Sequence, residues 1–329
     1  MPELKAVITK AYEYLTRTEL PIRQSLPVTG EVANKFAQPR PAMLMLRVIT
    51  GMRANLMKNR RYGVLCALLW AGFIASVPGG QAADFSAHRG LYDMSLVKAN
   101  SGSGISGVAG KMAVEWHNSC TGWAFQYQSV IDVTFEEGTP VRLTSNATSW
   151  ESSDGTDYRF DVRHLTNGKE MERIEGVAKL SGDKGGGYSL FNHPKPTKFD
   201  LPGGTLFPVA HSMAIVRAAK GGKSPQFVSR NIFDGMDVKG LYQVNAIIGP
   251  VMPPKIGFRV NGDAMKKMAS WPVSLAYFAV KSGQPTPDHE IKMRLFANGV
   301  ADDLVMDFGS FIVRARLGQV DLLDPPACK

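Results

Sequence analysis

The sequence predicts an all-β fold with one main helix: a long antiparallel meander wound into a spiral or an open, barrel-like sheet. Three observations predict it. Apolar and polar residues alternate with period two through most of residues 91–317, the spacing of strands that bury one face. Turn signals such as Glu136-Glu137-Gly138, Ser153-Asp154-Gly155, Asn167-Gly168 and Ser181 to Gly185 interrupt the alternation, too closely for alternating strand–helix units. A single segment, Thr205 to Gly222, changes to helical spacing.

The first element in chain order is an export signal. Lys58, Arg60 and Arg61 form a basic start, Tyr62–Val77 is an uncharged apolar run of 16 residues, and Pro78 to Ala83 is small and helix-breaking. Gly80 and Ala82 meet the small-x-small rule, so cleavage is expected after Ala82 or one residue later. The run falls short of the roughly 20 residues that span a bilayer. It lacks the polar residues at helical spacing that a buried core helix would show. Cys66 follows Gly63-Val64-Leu65 at the start of the run, away from the cleavage edge, so no lipid anchor is indicated.

Residues 1–56 precede this signal and show no sustained period. They are expected to be a non-native or disordered upstream extension, with translation starting at Met57 or Met52 rather than Met1. A cytoplasmic extension ahead of an uncleaved anchor is the alternative. The expected organisation is therefore 1–56 extension, 57–82 signal peptide and 83–329 a single periplasmic domain, not membrane-spanning after cleavage. The formal charge of +9 sits mostly in front of the cleavage site: 27 basic residues face 25 acidic ones after Ala82. The charge gives no argument for a nucleic-acid or membrane surface.

Cleavage leaves two cysteines, Cys120 and Cys328. An even pair in an oxidising compartment reads as a disulfide, here tying the C-terminus to an early strand. Chain-entropy reasoning caps its contribution at roughly 5 kcal/mol.

The mature strands are expected at Leu91–Lys98, Met112–Trp116, Trp123–Phe135, Val141–Trp150, Asp157–His164, Arg173–Leu180 and Gly187–Asn192. After the helix they resume at Gln226–Phe233, Lys239–Ile248, Val273–Val280, Glu290–Phe296 and Leu304–Leu317. Asn167-Gly168 marks a tight hairpin. The helix carries Pro208 in its first turn, Gly221 as its stop, and a stripe of Val209, Met213, Val216 and Lys220 beside Ile215 and Ala219. Asp263–Ala269 could be a short helix, Asn192–Pro196 reads as a loop, and two strand-rich halves around the helix are possible. A sheet this long must close or wrap to hide its edges, enclosing an apolar space.

No catalytic signature is present: there is no His-Glu-x-x-His, Gly-x-Ser-x-Gly, phosphate loop or Cys-x-x-Cys. The six histidines lie apart in sequence, with no metal-binding spacing, and no cofactor is expected. Trp150, Glu151, Asp154 and Tyr158 form an aromatic–acidic cluster suited to a sugar or peptide. The competing explanation is a hairpin with Trp150 and Phe160 facing the core. His211, near the helix start, completes the candidate binding set, and is more readily a structural histidine than a base.

Several motifs occur together: Tyr92-Asp-Met-Ser-Leu96, Ser119-Cys-Thr-Gly-Trp123, Trp150-Glu151 with Asp154-Gly155 and Tyr158-Arg-Phe160. Leu201-Pro-Gly-Gly-Thr-Leu-Phe-Pro208 with His211, Phe233-Asp-Gly235 and Asp324-Pro-Pro-Ala-Cys328 follow in order. In this order they resemble the cell-envelope integrity protein EipB family of alphaproteobacteria, over nearly all of residues 84–329. The resemblance implies a periplasmic spiral sheet with a helix against it, a Cys120–Cys328 disulfide, and a role in envelope integrity under stress. It also implies a periplasmic tetratricopeptide-repeat partner and offers no catalytic residues. The expected function is non-catalytic envelope support by binding a protein, lipid or glycan. The alternative is an envelope hydrolase or transferase using His211 with an acid near Asp154 or Asp234.

Overall fold

The structure is a computed structural model that describes residues 85–328, apart from 183, 184, 223, 239, 262, 281–284 and 325. The signal at 57–82, the leader and the Lys239 start of one expected strand lie outside the described residues. Fifteen strands form one sheet: β1 His88–Ala99, β2 Ile105–Ser119, β3 Gly122–Phe135, β4 Val141–Ser152, β5 Asp157–Thr166, β6 Lys169–Leu180, β7 Gly187–His193, β8 Thr197–Leu201, β9 Gln226–Phe233, β10 Leu241–Ile248, β11 Arg259–Val260, β12 Ser270–Ala279, β13 His289–Phe296, β14 Ala301–Asp307 and β15 Phe311–Leu322. One helix, α1 Pro208–Lys220, separates β8 from β9.

The spatial order runs β8 back to β1, then β15 down to β12, then β10 and β9. The first and last strands of the chain are therefore neighbours in the middle of the sheet, and the edges β8 and β9 flank α1 in sequence. The two strand-rich halves are one continuous sheet. Alternation sets its inner face: along β4, Val141, Leu143, Ser145, Ala147, Ser149 and Glu151 are buried while their neighbours are not. Asn167 (φ 53°) and Gly168 (φ 73°) both take left-handed conformations between the paired Thr166 and Lys169, the two-residue turn that matches strand twist. Curvature needs bare backbone where strands crowd. A Cβ at Gly176 would lie 2.4 Å from the Leu190 carbonyl oxygen and 2.7 Å from the Phe160 ring.

Three boundaries differ from the sequence reading. Thr197–Leu201 is a strand, since Pro194 and Pro196 break β7 from β8 without preventing five residues from pairing with β7. The expected strand Leu304–Leu317 is two, because Gly309 (φ 81°) turns the chain between β14 and β15. Asp263–Ala269 holds turns with no helix, being too short to repay nucleation. The strand β11 instead pairs in parallel with the end of β15, where β15 outruns β14.

The two lips of the sheet meet through the chain just before α1. The Leu206 amide donates to the Asn231 carbonyl (2.8 Å) and the Phe233 amide to the Leu206 carbonyl (3.0 Å). Around this bridge the seam is filled by rings: Tyr158 lies 4.9 Å from Phe207, Phe160 5.7 Å from Phe233, and Phe191 6.1 Å from Phe233, centroid to centroid. The result is a nearly closed, barrel-like sheet with α1 packed inside against β9 and β10.

Candidate functional site: an apolar cavity beside the inner helix

Pro208 opens α1, where its missing N–H costs nothing. The next two amides have no helical acceptor, and the preceding residue, Phe207, supplies no side-chain cap. Glu151 of β4 fills the role from across the barrel: its Oε2 accepts from the Val209 amide (2.7 Å) and its Oε1 from the Ala210 amide (2.8 Å). Burial pushes this carboxyl up to about 7, with the two amide bonds acting the other way. At the other end, the Gly221 amide donates to the Arg217 and Ala218 carbonyls, and Gly222 (φ 74°) turns the chain away. The buried face holds Val209, His211, Ile215, Val216 and Ala219, packed against Tyr242, Val244, Ala246 and Val273. The expected stripe is shifted: Lys220 is exposed and Met213 only half-buried.

The helix does not fill the barrel. A cavity of about 360 Å³ remains between Pro208, His211, Ser212 and Ile215 and the inner faces of β1 to β5 and β12 to β14. Its volume lies in the range of small-ligand sites. The wall is mostly hydrocarbon and aromatic: Met112, Trp116, Phe125, Tyr127, Ile291 and Met293 are examples. Its polar groups are few, and most are occupied. Tyr92 donates to the Ala301 carbonyl (2.8 Å), Ser212 to the Pro208 carbonyl (2.8 Å) and Tyr158 to the Asp234 carbonyl (2.8 Å), while His88 Nδ1 is 2.8 Å from the Ser86 carbonyl.

Two groups stand apart. His211 is 5% exposed and its Nε2 has no hydrogen-bond partner. Burial, with the Arg230 charge adding to it, brings its pKa down to about 4, so the ring is neutral. Asp234 borders the cavity directly after β9. Its Oδ1 accepts from the Met236 amide (3.0 Å), and burial beside Asp237 pushes the carboxyl up to about 7. Among the described residues, no group of three or more His, Cys, Asp or Glu side chains is placed to hold a metal.

The expected binding cluster separates along its strand. Trp150 and Glu151 are adjacent, so they point to opposite faces. Trp150 lies on the outer face with the Arg159 guanidinium 5.4 Å from its ring, whereas Glu151 caps α1 inside. This corrects the hairpin alternative too, in which Trp150 faced the core. Asp154 sits in the β4–β5 turn, accepting from Ser152, the Thr156 amide and the Thr156 hydroxyl, bonds that hold its carboxyl below the usual range. Tyr158 and His211 both reach the cavity. Asp154 lies among none of its lining residues, so the pairing of His211 with an acid narrows to Asp234.

The same topology explains the cysteines. Cys120 occupies the two-residue turn between β2 and β3, and Cys328 follows β15, with β1 between them in the sheet. They are bridged, with their Cα atoms 5.5 Å apart across 208 residues of sequence.

The family model described as EipB-like matches residues 80–324. The chain belongs to the EipB-like family. It is similar to the cell envelope integrity protein EipB of Brucella abortus (strain 2308), with 32% identity over 261 residues, covering 78% of this chain and 91% of that relative. A crystal structure of a β-barrel-like protein of a domain of unknown function from Brucella abortus matches with a TM-score of 0.67 at 29% identity, covering 74% of this chain and all of that one. For this EipB-like chain, sequence reasoning overlooked His88, Tyr277 and Met236 as cavity residues. Their signal was present in part: His88 shares the inward phase of Gly90, Tyr92 and Met94. Alternation names the inward face without saying which inward residues meet α1 and which meet open space.

Proposed function

We propose that this protein is a non-catalytic periplasmic factor that supports cell-envelope integrity by holding an amphiphilic, lipid-like ligand in its barrel. The observation that carries the reading is the cavity of about 360 Å³, walled by apolar side chains around a buried helix. A glycan would need a dense array of hydrogen-bonding groups, and most polar groups here are already paired within the protein. Support against hydrolysis comes from His211: with a pKa near 4 it is a poor base at neutral pH, and its Nε2 meets no nucleophile. The export signal expected at 57–82 supports a location beyond the inner membrane. A periplasmic tetratricopeptide-repeat partner, implied by the resemblance, would engage the outside of the barrel, because α1 and the cavity occupy the inside.

Native mass spectrometry of protein recovered from a periplasmic extract tests this. The expected result is a chain beginning at Ala83 or Asp84 carrying an adduct that organic extraction removes. Repeated spectra of a bare chain that also fails to take up an environment-sensitive apolar dye would overturn the ligand-holding reading. A full-length species with free thiols would overturn the periplasmic one.

A further inference from the structure

Net charge is nearly balanced after Ala82, but its distribution is not. Between Thr205 and Phe233, and again between Leu241 and Asn261, there is no Asp or Glu, while six Lys or Arg occur. These stretches hold α1, β9 and β10. They also hold the three most exposed large apolar side chains of the described residues: Phe227 at 66%, Val251 at 62% and Ile247 at 54%. Phe227 and Ile247 are registered partners on β9 and β10. They stand side by side on the outer face, because Val228, Ala246 and Ile248 beside them in sequence pack inward. The Gln226 side chain donates to the Ala218 carbonyl (2.6 Å), which brings the last turns of α1, with exposed Arg217 and Lys220, to the start of β9. Exposed Lys255 lies in the loop after Val251, and Arg294 of β13 holds that loop by donating to the Pro253 and Lys255 carbonyls.

From this placement we infer that the end of the barrel where α1 finishes docks on an anionic phospholipid bilayer. Phe227, Ile247 and Val251 enter the head-group layer, and Arg217, Lys220 and Lys255 meet the lipid phosphates. The surface lies on the outside of the barrel and stands apart from the ligand-holding reading. An exposed apolar pair on an edge strand invites pairing with another chain, so native sheets cover it, bulge it or place charge on it. Here β9 is an edge of the sheet and the pair is left bare, as at a contact surface. The cations decide what covers it. An isologous contact with a second copy would set this basic face against its own equivalent, and the two would repel. A bilayer carrying anionic lipid is complementary at both levels, negative at the head groups and apolar just beneath them.

Co-sedimentation of the mature, disulfide-bonded protein with vesicles tests this, using phosphatidylcholine alone and an equal mixture of phosphatidylcholine and phosphatidylglycerol. The mixed vesicles are expected to bind at least about tenfold more tightly than the neutral ones, with the difference shrinking as salt rises. Phe227→Ser combined with Ile247→Thr should weaken binding to the mixed vesicles about tenfold, since less apolar surface leaves water. Lys255→Gln and Arg217→Gln should each weaken it about fivefold. Val97→Thr, at an exposed apolar position on β1, should leave it unchanged. Thermal melts, and dye uptake measured without vesicles, check that each variant keeps its fold and cavity. Salt-insensitive binding to both vesicles alike overturns the role given to the cations. A folded Phe227→Ser, Ile247→Thr variant that binds as wild type does overturns the assignment of the apolar anchor. Failure of the wild type to bind either vesicle overturns the proposal, and a dimer that Phe227→Ser abolishes would then assign the patch to a contact between copies.

Discussion

Two seams close this barrel, and they are built from different interactions. At the first, β1 meets β15 through eleven registered residue pairs, and the Cys120–Cys328 bridge ties the β2–β3 turn to the segment after β15, across β1. At the second, between β8 and β9, a single bridge at Leu206 and a layer of aromatic rings stand where a ladder would be. The first seam satisfies its backbone groups with each other and leaves no room. The second must be filled by side chains and by α1, and the cavity with its unpartnered His211 lies beside it. Where the ladder gives way to a helix and a layer of rings, the barrel keeps a cavity of about 360 Å³.

The sharpest way to break the comparison is at the rings. Phe160 is 2% exposed and touches Phe191, Phe233 and Tyr158. Phe160→Ala should cost about 4 kcal/mol in denaturant unfolding and loosen dye retention. At the ladder seam, Cys120→Ser or Cys328→Ser should cost roughly 3 kcal/mol through the released chain entropy and raise protease sensitivity at the C-terminus, with dye binding kept. Melting identical to the oxidised wild type would mean that the bridge is energetically idle.

Glu151→Leu should cost about 2 kcal/mol, since two buried amides lose their acceptor, although removing a desolvated acid offsets part of that loss. The cavity should suffer more than the ladder seam, visible as faster amide exchange in α1 than in β1 and β15. The smallest effect is at Asp234. Its carboxyl rises from 3.8 unfolded to about 7 folded, so its contribution is full below the unfolded value and lost as pH rises through the folded one. Asp234→Asn removes that loss. Relative to wild type, the variant should gain stability progressively between about pH 4 and pH 7, the interval that the two values bracket, with no further change above it. His88 and His211, each brought down to about 4, trend the opposite way between pH 4 and 6.5 in both proteins and cancel in the difference. A difference that does not change with pH would show that Asp234 is not held in its neutral form.

Most of the strands were legible because each is a local pattern. The Asn167-Gly168 turn and the alternation from Val141 to Glu151 need only neighbours two residues away to declare themselves. The helix was equally local, from Pro208 to Gly221. Short elements carried less signal: β8 has five residues beside two prolines, and Gly309 looks like any other glycine until the chain is seen to reverse there. The candidate cluster at Trp150, Glu151, Asp154 and Tyr158 was visible as composition, but composition does not say which face a residue occupies.

By itself the sequence determined the all-β class, the helix from Pro208 to Lys220 and the pairing of Cys120 with Cys328, because these follow from period, turn chemistry and count. Only the tertiary structure decided that Glu151 is a helix cap supplied from 58 residues away, that Trp150 faces outward, and that His211 and Asp234 border one cavity. The reason is physical. Periodicity assigns a side chain to a face, whereas the partner it meets depends on how strands far apart in sequence close around α1.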